Sequence, residues 1–418
     1  MRPDHRRAAS AAAVVASVGL LAGCAGDARP TPGPAAEYRG VVLDVAPGAF
    51  TALDVAAAQT EFGLDLLHAR CAEEPGENLL VSPTSAAQAL GMLQPAVTGT
   101  TAQAVADLLH LPAWSDELAA ALRDHTAAID ALRAGDGAGG GDTLRTSNRV
   151  WPDLTVDPTQ EYLDAVATAF DAGVEALDYR HDAEGATDRI NASVAQDTAG
   201  RIPELFAEPL EPATRVVLTN AVHLDAEWAT AFDDAEPAPF RAADDTLVEV
   251  DMMSGGSGTA TADDGWTRVE LPYRDGTLAA VVVLPPRGVD PCTVDAARLD
   301  ALADAPLATR ADVSMPALRI TQGHDLLPAL EELGLPIALD APGFGADEAL
   351  AIGSVVQETF LEVDEEGTEA AAATAVGVVA VSAEVVEPVT VDRPFLLVLT
   401  DTATRSPLFV GVVQDPTA

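Results

Sequence analysis

The residue types that usually carry catalysis are present, but not in catalytic patterns. The chain has 418 residues, with three cysteines (Cys24, Cys71 and Cys292) and seven histidines. His68, His110, His181, His223 and His324 have no acidic or cysteine partner at ligand spacing, so no metal site is expected. No GxSxG turn occurs, and Gly255-Gly256-Ser257-Gly258 lacks the last glycine and reads as a turn. Gly135, Gly137 and Gly140 spell GxGxxG with no strand before and no helix after, which makes a surface loop rather than a nucleotide cradle. No enzyme, cofactor or metal is therefore expected. The unusual chemistry lies near the C-terminus, where residues 365–383 read EEGTEAAAATAVGVVAVSA.

That stretch fits no permanent element well. As a helix it suffers from Gly377 and from the β-branched Val376, Val378, Val379 and Val381. As a linker it exposes a β-prone apolar run. One reading accounts for the pattern: an exposed loop that can later enter a sheet as a strand. Insertion needs small side chains, and Ala370, Ala371, Ala372 and Ala373 are all small. Strand side chains alternate faces, so Thr368, Ala370, Ala372, Thr374, Val376 and Val378 point one way and Glu369 the other. A charge on the inward face costs several kcal/mol when unpaired.

Such a loop needs a sheet to receive it. Alternation marks strands over residues 143–151, 215–224, 278–284 and 395–399. Helical spacing marks 55–69, with Asp54 as N-cap, and the stretches around 162–170 and 326–333. Ser82-Pro83 opens a further helix, since proline is pre-organised in a first turn, and another follows Ser115. Strands and helices intersperse without a βαβ repeat, which gives an α+β fold in one large domain, residues 50–418.

The formal net charge is −43, and every base is Arg or His. This excludes nucleic acid, heparin-like polyanions and a polybasic membrane face as partners. Arg2, His5, Arg6 and Arg7 precede an apolar run from Ala8 to Leu21, which reads as a secretion signal. Leu21-Ala22-Gly23-Cys24 resembles a bacterial lipobox, making residues 1–23 a lipoprotein signal peptide and Cys24 the lipidated residue. The chain is then expected to be exported and either membrane-anchored through lipidated Cys24 or released. Residues 24–49, with Pro30, Pro32, Pro34 and Pro47, read as a flexible tether. In an exported protein Cys71 and Cys292 either pair or remain two buried thiols.

The 365–383 segment resembles the reactive-loop hinge of the serpins, in its inhibitory form. The resemblance extends over about 360 residues. Asn78-Leu79-Leu80-Val81-Ser82-Pro83-Thr84-Ser85 is similar to the strand-to-helix junction at the family's shutter. Ser147-Asn148-Arg149-Val150-Trp151, Ile190-Asn191, Thr198 and Gly200-Arg201-Ile202-Pro203 resemble the segments that follow. Leu218-Thr219-Asn220-Ala221-Val222 with Trp228 resembles the strand leading to the breach. Asp392-Arg393-Pro394-Phe395, Ser406-Pro407-Leu408-Phe409-Val410-Gly411 and Asp415-Pro416-Thr417 resemble the C-terminal strands. Two positions depart: Gln357 stands where many serpins have a shutter histidine, and Ser193 replaces an aromatic.

The resemblance implies a serpin fold, with several helices around three β-sheets, a large central sheet and a reactive loop at about 365–390. It implies a hinge at Glu365, Glu366, Gly367, Thr368, Glu369, Ala370, Ala371, Ala372, Ala373 and Thr374. It places the shutter and breach at Ser82, Ser85, Asn220, Trp228 and Gln357. The implied activity is suicide inhibition of a serine protease by a monomer, through a covalent acyl complex. In the family the reactive bond follows the residue fourteen past the hinge glycine, which puts it at Val381–Ser382, with Ala380–Val381 and Ala383–Glu384 as the alternatives that a different loop length would select. Small aliphatic residues there imply an elastase-like or subtilisin-like target. The alternative is a non-inhibitory serpin-fold binding protein whose loop is cut as plain substrate.

Overall fold

Strand-forming runs pair into three sheets, of two, six and nine strands, in the computed structural model, which describes residues 35–133, 143–305, 309–346, 349–368 and 386–418. The six-stranded sheet is central. Its order is Leu318–Asp325, Leu350–Val363, Gly367–Thr368, Val216–Glu227 and Thr143–Pro152, with Ala338–Leu339 beside the start of Leu350–Val363. Leu350–Val363 and Val216–Glu227 run parallel, from Ile352 opposite Val216 to Thr359 opposite Val222. The flanking pairings, to Leu318–Asp325 and Thr143–Pro152, are antiparallel. Parallel pairing is slightly weaker per residue. The middle of the sheet is therefore its seam.

Both faces of the seam are covered. Val222 and Leu224 pack toward the nine-stranded sheet with Phe240, Tyr273, Val282 and Phe395. Val217 and Ala221 pack on the other face beneath the Ala183–Asp197 helix, against Ile190 and Val194. A helical layer led by Ala52–Glu73 and Pro83–Gly91 closes the far end around Phe62, Leu66 and Leu90. The architecture is α+β, as expected.

Several details differ from the sequence reading. The N-cap of Ala52–Glu73 is Thr51, and Asp54 sits at the third helical position, closing a capping box with Thr51. The helix Gly99–Leu108 has no counterpart in the reading. Gly255-Gly256-Ser257-Gly258 lies inside the strand Leu247–Asp263 and not in a turn. Its glycines serve close approach: a Cβ on Gly256 would strike the Phe232 ring, and one on Gly258 the Glu270 carbonyl.

The described part of the expected tether, residues 35–49, is docked on the domain. Ala35–Tyr38 pairs antiparallel with Val174–Leu177. Downstream, the Val41 amide donates to Asp164 (2.7 Å), the Leu43 amide to Thr168 Oγ1 (2.9 Å), and Arg123 to the Val45 carbonyl (3.1 Å). Residues 35–46 contain no proline, so their backbone amides are available to a sheet edge and to side-chain acceptors. Cys71 and Cys292 form a disulfide that joins the end of the first long helix to a turn 221 residues away. No helix among the described residues is long and apolar enough to cross a membrane.

Candidate functional site

The Ser82-Pro83 junction meets the seam at mid-height. Ser82 caps the Pro83–Gly91 helix, and its backbone is gripped by Gln357 from Leu350–Val363. The Ser82 amide donates to Gln357 Oε1 (2.9 Å), and Gln357 Nε2 donates to the Ser82 carbonyl (3.0 Å) and to Asn220 Oδ1. Asn220 lies opposite Gln357 across the seam and opposite Asn148 on its other side. Ser85 Oγ donates to Asn148 Oδ1, and Asn148 Nδ2 donates to Gln88 (2.6 Å). Three strands thus carry amides at one level, all engaged with one helix or with each other. Among the described residues, Ser82 Oγ and Asn220 Nδ2 are buried without a partner, so the lock is not saturated there.

The hinge occupies the top of the seam. The chain leaves Leu350–Val363, reverses at residues 364–367 and comes back between the parallel strands. Asp364 makes the reversal: its Oδ1 accepts from the Glu366 and Gly367 amides (2.9 Å each), and its own amide donates to the Gly367 carbonyl (2.9 Å). Gly367 lies against the Ala226 carbonyl, where a Cβ would collide. Gly367 pairs with Glu227, and Thr368 with Ala226 and Val363.

Trp228 secures this turn. Its indole donates to the Asp364 carbonyl (2.9 Å) and its amide to the Glu366 carbonyl (2.9 Å). The Phe232 amide donates to the Glu365 carbonyl (2.8 Å), and the Ala235 amide to Glu365 Oε1 (3.0 Å). Trp228 stacks on Tyr273 at 4.4 Å, and the Tyr273 hydroxyl shares a 2.5 Å hydrogen bond with Thr368 Oγ1.

Ser82, Ser85, Asn220 and Gln357 therefore converge at one point of the seam. Trp228, Glu365, Glu366, Gly367 and Thr368 converge at another. Glu369, Ala370–Thr374, Val381, Ser382 and Cys24 lie outside the described residues, as does the glycine-rich stretch at Gly135–Gly141. Sequence reasoning missed Tyr273, Phe232, Asp364 and Asn148 as site residues. Asn148 carried a signal, sitting in a quoted motif; Tyr273 and Phe232 reach the hinge only through the fold.

A hydrolytic centre would need a reachable nucleophile. His125, which the sequence reading passed over, bonds through Nε2 to Ser406 Oγ (2.8 Å), and Asp401 is close by. All three are buried. Asp401 Oδ2 bonds Thr404, not the imidazole, and Thr404 in turn bonds Ser406. The arrangement lacks both substrate access and the carboxylate that would orient the base. Burial pushes the His125 pKa down to about 4, against a partial opposing pull from Asp401. The unfolded imidazole takes up a proton below its usual 6.5, while the folded one does not until about 4, so stability falls as pH drops through that window. By that difference, His125 removes about 2 kcal/mol on going from pH 7 to pH 5. Denaturant midpoints at the two pH values should show the loss, and His125→Gln should flatten it; an unchanged slope would contradict the assignment. No group of three or more metal-ligating side chains occurs among the described residues.

A family model described as "Serpin (serine protease inhibitor)" matches residues 57–416. The chain belongs to the serpin family. Curated serpins resemble it along most of their length: human "Serpin B9" is 30% identical over 86% of this chain and 98% of its own. "Iripin-1" of Ixodes ricinus is 31% identical, covering 85% and 93%. Rat "Leukocyte elastase inhibitor A" is 29% identical, covering 87% and 99%. Among solved structures, the native state of the thermophilic serpin tengpin matches with a TM-score of 0.77 at 23% identity, over 90% of this chain and 97% of that one. Human thyroxine-binding globulin with its hormone matches at 0.76 and 24% identity, over 88% and 100%.

In this serpin the departure at Gln357 is compensated locally. Its amide offers a donor and an acceptor at once, and both are used on Ser82. Near the departure at Ser193, which is half-buried, Asn191 holds the following segment. Its Oδ1 accepts from the Leu205 (2.9 Å) and Phe206 (3.0 Å) amides.

Proposed function

We propose that this serpin is a suicide-substrate inhibitor of serine proteases and not itself a hydrolase. The observation that carries the reading is the seam: two parallel strands with the hinge already seated between them at the top. Continued in the register of Gly367 and Thr368, a strand from residue 369 onward sets Ala370 between Leu224 and Leu361, and Ala372 between Val222 and Thr359. The same register sets Thr374 between Asn220 and Gln357, and Val376 between Leu218 and Val355. The inward-facing residues are then all small or apolar, and Thr374 arrives beside the orphan Asn220 Nδ2.

Opening the seam breaks one parallel ladder, and insertion makes two antiparallel ones. A strand of roughly 12 residues adds about one net hydrogen bond per residue at ~0.5–1.5 kcal/mol. With apolar burial the total is on the order of 10 kcal/mol, comparable to the stability of a protease. An enzyme acyl-linked at the cut end would be dragged along and distorted.

The bond offered is Val381–Ser382. Its small aliphatic surroundings favour an elastase-like or subtilisin-like enzyme, in line with the name of the rat leukocyte elastase inhibitor A. Pockets separate neighbouring aliphatic residues by only about 1–3 kcal/mol per methylene. We further propose that the protein acts outside the cell, lipid-anchored through Cys24 or released, as a monomer. The Cys71–Cys292 bridge supports an oxidising compartment.

Incubation with an elastase and a subtilisin tests the reading. A complex that survives boiling in detergent, with mass spectrometry placing the cut after Val381, is expected. Clipped chain without complex would favour the substrate-like binding protein instead.

A further inference from the structure

We infer that Tyr273 is a positioning residue for inhibition: its hydroxyl latches Thr368 inside the resting sheet and so holds the first residue of the inserting strand in place before any cut. The kinetic part of this inference rests on the inhibitory reading above. The structural part does not.

The two hydroxyls are each other's partner at 2.5 Å, and both residues are buried. Each such buried hydrogen bond favours the state in which both hydroxyls are present together. Tyr273 is also held by groups outside Thr368. Its ring lies flat on Trp228, at 11° between planes, the two residues form an isolated antiparallel bridge, and its amide donates to the Leu278 carbonyl (3.0 Å). Trp228 in turn bonds the Asp364 and Glu366 carbonyls. The Trp228–Tyr273 stack thus grips the hinge at three successive points: Asp364 and Glu366 through backbone, Thr368 through its side chain.

The latch acts on partition. After acylation two events compete: strand growth down the seam, and hydrolysis that frees the protease. Growth from a residue already paired on both edges needs no nucleation, whereas a hinge resting outside must first find its register. The Thr368 contact is compatible with both the intact and the inserted sheet, because the inserted strand extends from it. Its loss therefore changes the rate of insertion and leaves the end state nearly unaltered.

Tyr273→Phe tests this, since the ring and its stacking remain and only the hydroxyl goes. Thr368→Val removes the other half at nearly constant volume. In the intact protein, peptide-resolved hydrogen exchange should quicken about tenfold over residues 365–368 in either variant, with no further gain when the two are combined. Exchange in Val216–Glu227 below the hinge should stay at the wild-type rate. With an elastase, the stoichiometry of inhibition should rise several-fold in Tyr273→Phe, while the association rate constant does not fall.

Unchanged exchange over 365–368 overturns the latch. So does acceleration spread through the whole central sheet, which marks a merely structural hydroxyl. Wild-type stoichiometry in Tyr273→Phe, with exchange quickened, overturns the role in partition. Failure of the wild-type protein to form any covalent complex defeats the inhibitory reading alone, since the exchange arm still decides the latch.

Discussion

Thr368→Arg should yield a folded protein that every target protease cleaves and none is trapped by. Thr368 is 1% exposed, paired with Ala226 and Val363 and capped by Tyr273. A guanidinium there would be buried between Ala226 and Val363, at a cost of several kcal/mol where it stays unpaired. The hinge escapes that cost by swinging out of the sheet. Only the two-residue strand Gly367–Thr368 and its turn are lost, while the pairing of Leu350–Val363 with Val216–Glu227 below them stands. The sequence alone placed this conflict after cleavage; the structure places it in the resting state as well. Gel analysis after incubation should show clipped chain and no detergent-stable complex, with an unaltered circular-dichroism spectrum. Complex formation at the wild-type level would contradict strand insertion.

Gln357→Leu should weaken the resting fold by roughly 2 kcal/mol or more. Leucine fills the space but leaves the Ser82 amide and Asn220 Oδ1 without Gln357, while the Ser82 carbonyl keeps the Ala86 amide (3.0 Å). Each orphaned buried group costs about 1–3 kcal/mol. Because the lock spans the seam, its loss should also let the sheet open unprompted. Urea midpoints should fall, and inhibitory capacity should decay faster on warming. Gln357→His, which keeps a donor and an acceptor, should recover much of the loss. A midpoint within error of wild type for the leucine variant would show that the network does not hold the seam.

The sheet's strands were legible because period-two alternation is local: residues 143–151 and 278–284 correspond to Thr143–Pro152 and Leu278–Leu284. Of the 365–383 stretch only the start can be compared: Gly367 and Thr368 pair within the central sheet, and residues 369–383 lie outside the described residues. What stayed hidden depends on partners remote in sequence. Gly255–Gly258 reads as a turn by composition, but the Phe232 ring and the Glu270 carbonyl are what demand glycine within that strand. Residues 35–49 read as a tether because the carboxylates that capture them, Glu117 and Asp164, sit on distant helices. Tyr273 follows the strand Trp266–Pro272 in an unremarkable sequence, and nothing local ties it to a threonine 95 positions on. Asp54 reads as the N-cap from sequence, but the backbone makes Thr51 the cap and puts Asp54 at the third helical position.

The measurement that bears most directly on the whole account is the melting temperature of the protein before and after a single nick at Val381–Ser382. Should the resting sheet be short of its most stable arrangement, the nicked chain will melt far above the intact one. Equal melting, or a lower value for the nicked chain, would mean that the seam between Val216–Glu227 and Leu350–Val363 gains nothing from another strand.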